Sequence, residues 1–431
     1  MTDVAIAFKA PASLALSEHR NLRFCVLFLL YVAQGLPFGL IDYGLPAWLA
    51  QSGASAAAIG GVLAMIILPW TFKLAYGFIM DRYAFLAMGR RRPWIIVGQF
   101  GLVAALVAMA FANPGVQQIG MIAGFAFAMG LASAFQDVAV DGLAVDILPA
   151  DEIERVNGYM FGGQAIGVAA GAAASGYLIA YHGLPAAALA LAAIIGAILL
   201  LVLIVRERPD ERLLPWTRGM ASQRNLDLHL GAFWPIIRNL FAAMFTRQTV
   251  ILVPALLTAS AAWGIFLGLA PLFATNILGW DKATYSAWSG QANLAAGFAC
   301  VLFFGAAASR WGARCLFIGC ALTTSACAVA MYAVQNHWTN SIIFVSAIFL
   351  FTALAFLRNV TMGSLAMRLC TPAVAATQFA VFMAILNLGR TIASVSLGWL
   401  DSLGGIPAMF TAMALCSLTA AAFAFAAKVG R

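Results

Sequence analysis

The stretch Gly120-Met-Ile-Ala-Gly-Phe-Ala-Phe-Ala-Met-Gly-Leu-Ala-Ser-Ala-Phe-Gln136-Asp137-Val-Ala-Val-Asp141-Gly-Leu-Ala-Val-Asp146-Ile-Leu-Pro149 carries no charge before Asp137 and then places acids at 137, 141 and 146. As a helix it is long enough to cross the hydrocarbon core, which takes about 20 residues. A carboxylate at that depth is costly and ordinarily faces a water-filled cavity or a partner, so a functional site is the first hypothesis.

The rest of the chain has the same solvent. Of its 431 residues 63% are hydrophobic and only 9% charged, with 39 Gly, a composition that describes a polytopic membrane protein. Spanning stretches fall at 22–46, 57–79, 94–112, 117–145, 157–181, 185–205, 250–277, 284–308, 314–334, 340–367, 374–400 and 406–427. The predicted fold is therefore all-α, with twelve transmembrane helices in two six-helix bundles. Helices are the expected form because each satisfies its own backbone hydrogen bonds within lipid.

Basic residues orient the chain. Arg20 and Arg23 precede span one, Arg82 and Arg90 to Arg92 follow span two, and the central loop carries Arg206, Arg208, Arg212, Arg218, Arg224, Arg238 and Arg247. The loops of the other side offer only Lys282 among Lys and Arg. The positive-inside bias then predicts both termini and the central loop in the cytoplasm, and it absorbs the net charge of +8 without nucleic acid as a partner. The first long apolar run follows Arg23 and exceeds a cleaved signal's apolar core, so span one is expected to be its own insertion signal. The seven cysteines lie in or near spans without metal-ligand spacing and read as packing residues. The four histidines are dispersed, so neither a metal nor a cofactor is expected.

The expected organisation is a tail at 1–21, a bundle at 22–205, a cytoplasmic central loop at 206–249, a second bundle at 250–427 and a tail at 428–431. Within the loop, Phe233, Trp234, Ile236, Ile237, Leu240 and Phe241 beside Arg238 suit a helix lying on the membrane surface, or a tether. The halves echo one another: Gly167, Gly176, Tyr177 and Leu178 share their internal spacing with Gly389, Gly398, Trp399 and Leu400. Parallel repeats of this kind resemble the major facilitator superfamily, which implies a substrate site near the midplane between the halves.

The loop Gly77-Phe-Ile-Met-Asp81-Arg82-Tyr83, followed by Gly89-Arg90-Arg91-Arg92-Pro93-Trp94, resembles that superfamily's signature between its second and third helices. The resemblance implies a latch on the cytoplasmic side, with Gly77, Asp81 and Arg82 in the matching roles. Gln34-Gly-Leu-Pro37, the Asp81-Arg82-Tyr83 order and the run from Gln136 to Pro149 are similar to the muropeptide permease (AmpG-like) branch, itself similar to acetyl-CoA and siderophore transporters.

Asp137 and Asp141 share a helix face about 6 Å apart along the axis, and two carboxylates that close in low dielectric rarely both ionise, so they are the candidate proton-coupling pair. Lys73 in span two reaches a comparable depth. It either pairs with one of these acids or snorkels to the surface. Asp146, three residues before Pro149, reads as a helix-end residue near water. Alignment of the repeats sets Arg358 and Asn359 opposite Gln136 and Asp137, so Arg358 is a candidate to hold an anionic group or to close a gate against Asp137. Arg390 lies near mid-membrane, where a guanidinium suits a carboxylate or phosphate. Gln34 and Asp42 flank the irregular Gly35-Leu-Pro37, whose proline leaves carbonyls free to line a cavity. Gln34, Asp42, Gln136, Arg358, Asn359 and Arg390 are the candidate substrate residues.

No Walker-type loop supports ATP-driven transport. The expected function is a monomeric, multi-pass inner-membrane transporter importing a bulky, partly anionic small molecule such as an anhydromuropeptide with protons, by alternating access. A siderophore or another amphipathic metabolite is the alternative solute. A membrane enzyme using Asp137 and Asp141 and a non-transporting sensor are the competing classes.

Overall fold

The computed structural model describes residues 14–427, together with every side chain there except those of Ala56, Ala57, Lys282 and Ala283. The outer parts of both tails and the reading of Lys282 as a basic loop residue lie outside the described residues. Ten apolar helical segments are long enough to cross a membrane. Two of them, 52 and 55 residues long, are double: one breaks at Gly183 and the other at Gly404 and Gly405, with φ of 82° at Gly183 and 65° at Gly405. In the left-handed region a glycine costs least. Eight single and two double segments make twelve spans, the number read from the sequence.

These are α1 (Arg20–Gln51), α2 (Ala58–Arg82), α3 (Arg92–Ala112), α4 (Ile119–Ile147), α5 (153–182), α6 (184–204), α7 (Arg247–Asn276), α8 (Thr284–Trp311), α9 (Ala313–Ala333), α10 (Ser341–Leu369), α11 (375–403) and α12 (406–426). An even number of crossings returns both ends to one side, called here the terminal face. Among the described residues the only extended pairing is a bridge between Ala15 and Arg206 on that face.

Within the first half α1 and α5 meet almost backbone to backbone. A Cβ at Gly167 would stand 2.4 Å from Val32 O, one at Gly171 2.3 Å from Leu36 O, and one at Gly35 2.3 Å from Gln164 O. The stripe Gly163, Gly167, Gly171, Ser175 therefore has its match in Gly35, Gly39 and Gly44 on α1. The last interval there is five residues rather than four. A wide turn at Leu40–Gly44 absorbs the extra residue and returns Gly44 to Ser175. In the second half α7 and α11 repeat the arrangement, with Gly389 set against Leu257 O.

The two halves meet near the terminal face. Gly77 on α2 lies against Thr377 at the start of α11, Gly142 on α4 near Ala376, and Gly158 on α5 against Cys300 and Gly305 of α8. Towards the far ends of the same helices, a Cβ at Gly61, Gly176, Gly290 or Gly398 would meet nothing within 4 Å. These close contacts between the halves gather towards the terminal face.

The segment after α6 is fastened to the first half. Glu207 is buried and accepts the backbone N–H groups of Arg90 (3.0 Å), Arg91 (2.7 Å) and Arg92, so its carboxylate caps the N-terminus of α3. Gly89, at φ 102°, leaves the room this needs, since a Cβ there would lie 2.4 Å from Glu207 Cδ. Helix Phe233–Met244 follows, with Ile236, Leu240 and Ala243 buried and Trp234 exposed.

The seam predicts an asymmetry between glycines of one helix. Gly167→Ile forces backbone apart and is expected to destabilise the purified protein by about 1–3 kcal/mol, whereas Gly176→Ala is expected to be neutral. Thermal unfolding of both variants in detergent checks this, and equal effects would refute the close-approach account.

Candidate functional site

Asp137 and Asp141 are buried, 4% and 3% exposed, on the face of α4 turned towards α1 and α2. Both oxygens of Asp137 are engaged: Gln34 Nε2 donates to Oδ1 and Lys73 Nζ to Oδ2. Gln164 on α5 donates to Gln34 Oε1 at 2.8 Å, extending the chain of donors to a fourth helix. Asp141 Oδ1 accepts from Tyr31 Oη at 2.5 Å. Lys73 opens a regular helical stretch after the tightened turn Leu68–Phe72, and its ammonium stands 5.0 Å from the Trp70 ring centre. Of the two fates open to Lys73 in the sequence, the structure takes the pair with Asp137. Tyr31 was missed, although it stands three residues before Gln34 and so on the same helix face.

The other predicted residues are placed as follows. Gln136 is buried and donates to Leu30 O at 2.8 Å, facing α1. Asp42 lies half-buried in the wide turn of α1. Arg390 has an exposed side chain, while its backbone lies against Gly264 of α7. The expectation of a gate between Arg358 and Asp137 is corrected. Arg358 donates to Ala259 O at 3.0 Å and to its own neighbour Asn359 Oδ1 at 2.9 Å, and is turned into the second half, while Lys73 and Gln34 already occupy the carboxylate of Asp137. Asn359 accordingly serves Arg358.

At the terminal face an ion cluster joins the halves. Asp81 Oδ1 accepts Arg91 Nη2 at 2.5 Å, and Oδ2 accepts both N–H and Oγ1–H of Thr377, at 2.9 and 2.6 Å. Arg91 Nε reaches Asp146 at 3.1 Å, and Arg90 Nη1 reaches both oxygens of Asp146 at 3.3 Å. Arg90 also donates across the halves to Pro372 O and Ala373 O, and Arg368 pairs with Glu154 at 2.6 Å. Asp81 therefore bonds Arg91 and Thr377 rather than Arg82, because successive residues of a helix point about 100° apart. Arg82 instead lies over Tyr83 and Phe233, at 4.9 and 5.9 Å from the ring centres. Asp146 does stand at the end of α4, but buried in this cluster instead of in water. Glu154, Glu207 and Thr377 escaped the sequence reading, since nothing local marks their distant partners.

Over residues 27–394 the chain matches the Major Facilitator Superfamily. It belongs to that superfamily. Its fold extends the agreement: it aligns with the Escherichia coli fucose:proton symporter at a TM-score of 0.70 and 15% identity, covering 94% of this chain and 98% of that one. With a human organic anion transporter the score is 0.67 at 14% identity, covering 93% and 98%. Among curated relatives, the anhydromuropeptide permease of E. coli K12 is 35% identical over 130 residues, 30% of this chain. The chain spans only 26% of that permease's length in this match. Family and fold are those of a multi-pass membrane transporter.

Two predictions test the site. Lys73→Met leaves Asp137 buried without its cation and is expected to cost about 3–5 kcal/mol, most of which Lys73→Met combined with Asp137→Asn recovers. Unfolding midpoints of the two single variants and the double complete the cycle, and additive losses would contradict the pairing. The second concerns the segment after α6 that is fastened to the first half, where Glu211 accepts from Arg208 N–H and Asn225 Nδ2 and where burial and then the charge of Glu207 push its carboxyl up from 4.5 to about 8. The folded chain holds a proton there that the unfolded chain releases, so this group's stabilisation is lost as pH rises from about 4.5 through about 8. Glu211→Gln is expected to flatten stability over that window, and an unchanged pH profile would remove Glu211 from the account.

Proposed function

We propose that this chain is a proton-coupled importer of a bulky, partly anionic solute, an anhydromuropeptide in the first instance, working by alternating access in an inner membrane with its terminal face in the cytoplasm. The observation that carries the reading is the buried pair Asp137 and Asp141, one turn apart and reached from α1 and α2, with Gln164 of α5 behind Gln34. Two acids that close share or exchange a proton more readily than they carry two charges. Asp137 and Asp141 load the proton while the cavity faces outward. Arg390, exposed on α11, receives an anionic group of the solute, with Arg358 behind it and Gln34, Gln136, Asp42 and Asn359 supplying polar surroundings.

The return of the proton to the inside requires the terminal face to part. Asp81 and Thr377, with Gly77 allowing their helices to touch, form the latch, while Arg82 anchors the adjoining helix. The basic residues gathered at the terminal face support its cytoplasmic placement. The likeness of one stretch of the chain to the anhydromuropeptide permease supports the solute class.

Uptake of labelled anhydromuropeptide into proteoliposomes, with and without an inward proton gradient, is expected to be gradient-driven in the wild type. Asp137→Asn and Asp141→Asn are expected to lower it at least tenfold. No uptake by folded wild type would discard the muropeptide and turn the search to siderophores and other amphipathic metabolites. Uptake indifferent to the gradient and to both substitutions would remove the carboxylates from coupling.

A further inference from the structure

Among the described residues Arg358 is the one buried cation of the second half, and unlike Arg92, which also lacks an ion pair but bonds three backbone carbonyls, it bonds only one. It is 8% exposed, and among the described residues no carboxylate lies within ion-pair distance of it. Spans seven to twelve contain no Asp or Glu before Asp401. Its two terminal nitrogens bond Ala259 O and Asn359 Oδ1, both uncharged, and Nε has no hydrogen-bond partner. The Trp263 ring covers the guanidinium with its centre 5.8 Å away.

Beside Arg358 lies a cavity of about 30 Å³ lined by α7, α9, α10 and α12, with Phe266, Phe317, Cys320 and Phe351 among its walls. That is room for about two water-sized groups. The guanidinium therefore borders a mostly apolar chamber, with the hydroxyl residues Thr324 and Ser417 in its lining, too small for a bulky solute and large enough for one small anion. A buried cation without a counterion is strongly disfavoured in low dielectric, and the positive charge of Arg390 acts on Arg358 as well.

We propose that the Arg358 cavity is a binding site for a single small monoanion, a halide or one carboxylate head, which accepts from the guanidinium and supplies the negative charge that its surroundings lack. The site is separate from the acid pair on α4, and it stands whether or not the chain couples transport to protons. A free inorganic anion and a carboxylate of the transported solute share this chemistry. A weakly hydrated ion suits the chamber better than a strongly hydrated one, because the walls return few hydrogen bonds.

The test is thermal unfolding of the purified full chain in sodium gluconate, with bromide substituted at constant ionic strength. The expected result is a saturable rise in midpoint of about 2 °C or more, lost in Arg358→Gln and shifted to at least tenfold higher bromide in Arg358→Lys, which keeps the charge but not the planar fork of donors. Adding anhydromuropeptide distinguishes the sources. A displaced bromide titration assigns the site to the solute's carboxylate, and an unmoved one assigns it to an inorganic counterion. Should Arg358→Gln not fold, anomalous scattering from bromide in wild-type crystals decides: density against Arg358 supports the site. Bromide located elsewhere, or a midpoint equal in gluconate and bromide, overturns it. Neither readout involves transport, so the proposal fails independently of the importer reading.

Discussion

A carboxylate at membrane depth has to be surrounded before a helix bearing it can stay there, and α4 bears two of them one turn apart. The arrangement of the first half follows from that requirement. Lys73 comes from α2, Tyr31 and Gln34 from α1, and Gln164 from α5 behind Gln34. For α1 to present both Tyr31 and Gln34 it must lie close against α5, and the glycines on the two facing edges permit that approach. The small-residue seam and the acid site are one solution: backbone contact on one side of α1 positions donors on the other.

The same helix carries the constraint to the terminal face. Asp137 and Asp146 are nine residues apart on α4, about 13 Å along its axis, and between them Gly142 lies against Arg91 and Ala376. Arg91 is held by acids from two helices of the first half, while Asp81 is held in turn by the start of α11. A rotation of α4 that disturbs the acid pair therefore also disturbs the contacts that join the halves. Sites linked through a rigid element with two discrete arrangements are the physical form that coupling takes.

The spans were legible because hydrocarbon imposes a length and an apolar composition on each of them, and Asp137, Asp141 and Lys73 were legible because charge in such a run is conspicuous. The identity of partners was far less so. Asp81 bonds Arg91 and Thr377, and Glu207 bonds backbone amides at 90 to 92. Each match depends on which helices become neighbours, which a pattern along the chain does not record. Arg358 illustrates the same limit from the other side. The repeat set it opposite Gln136 and Asp137, but a helix face is set by its neighbours, and the guanidinium turned into its own bundle. Tyr31 was within reach, since a phenol one turn before Gln34 shares its face; its aromatic ring simply did not stand out in a chain with 31 Phe, 9 Tyr and 11 Trp.

The cap that Glu207 places on α3 also has a meaning for biogenesis. The residue that satisfies the amides of Arg90 to Arg92 lies more than a hundred positions later in the chain, and the backbone of Arg206 and Glu207 also receives Leu16 and Ser17. A ribosome delivers α3 long before its cap exists. During synthesis the turn at Gly89 must wait, its amides served by water or headgroups, until α6 has been threaded and Glu207 emerges. The N-terminus of α3 is thus completed last, by the acidic side chain that follows α6.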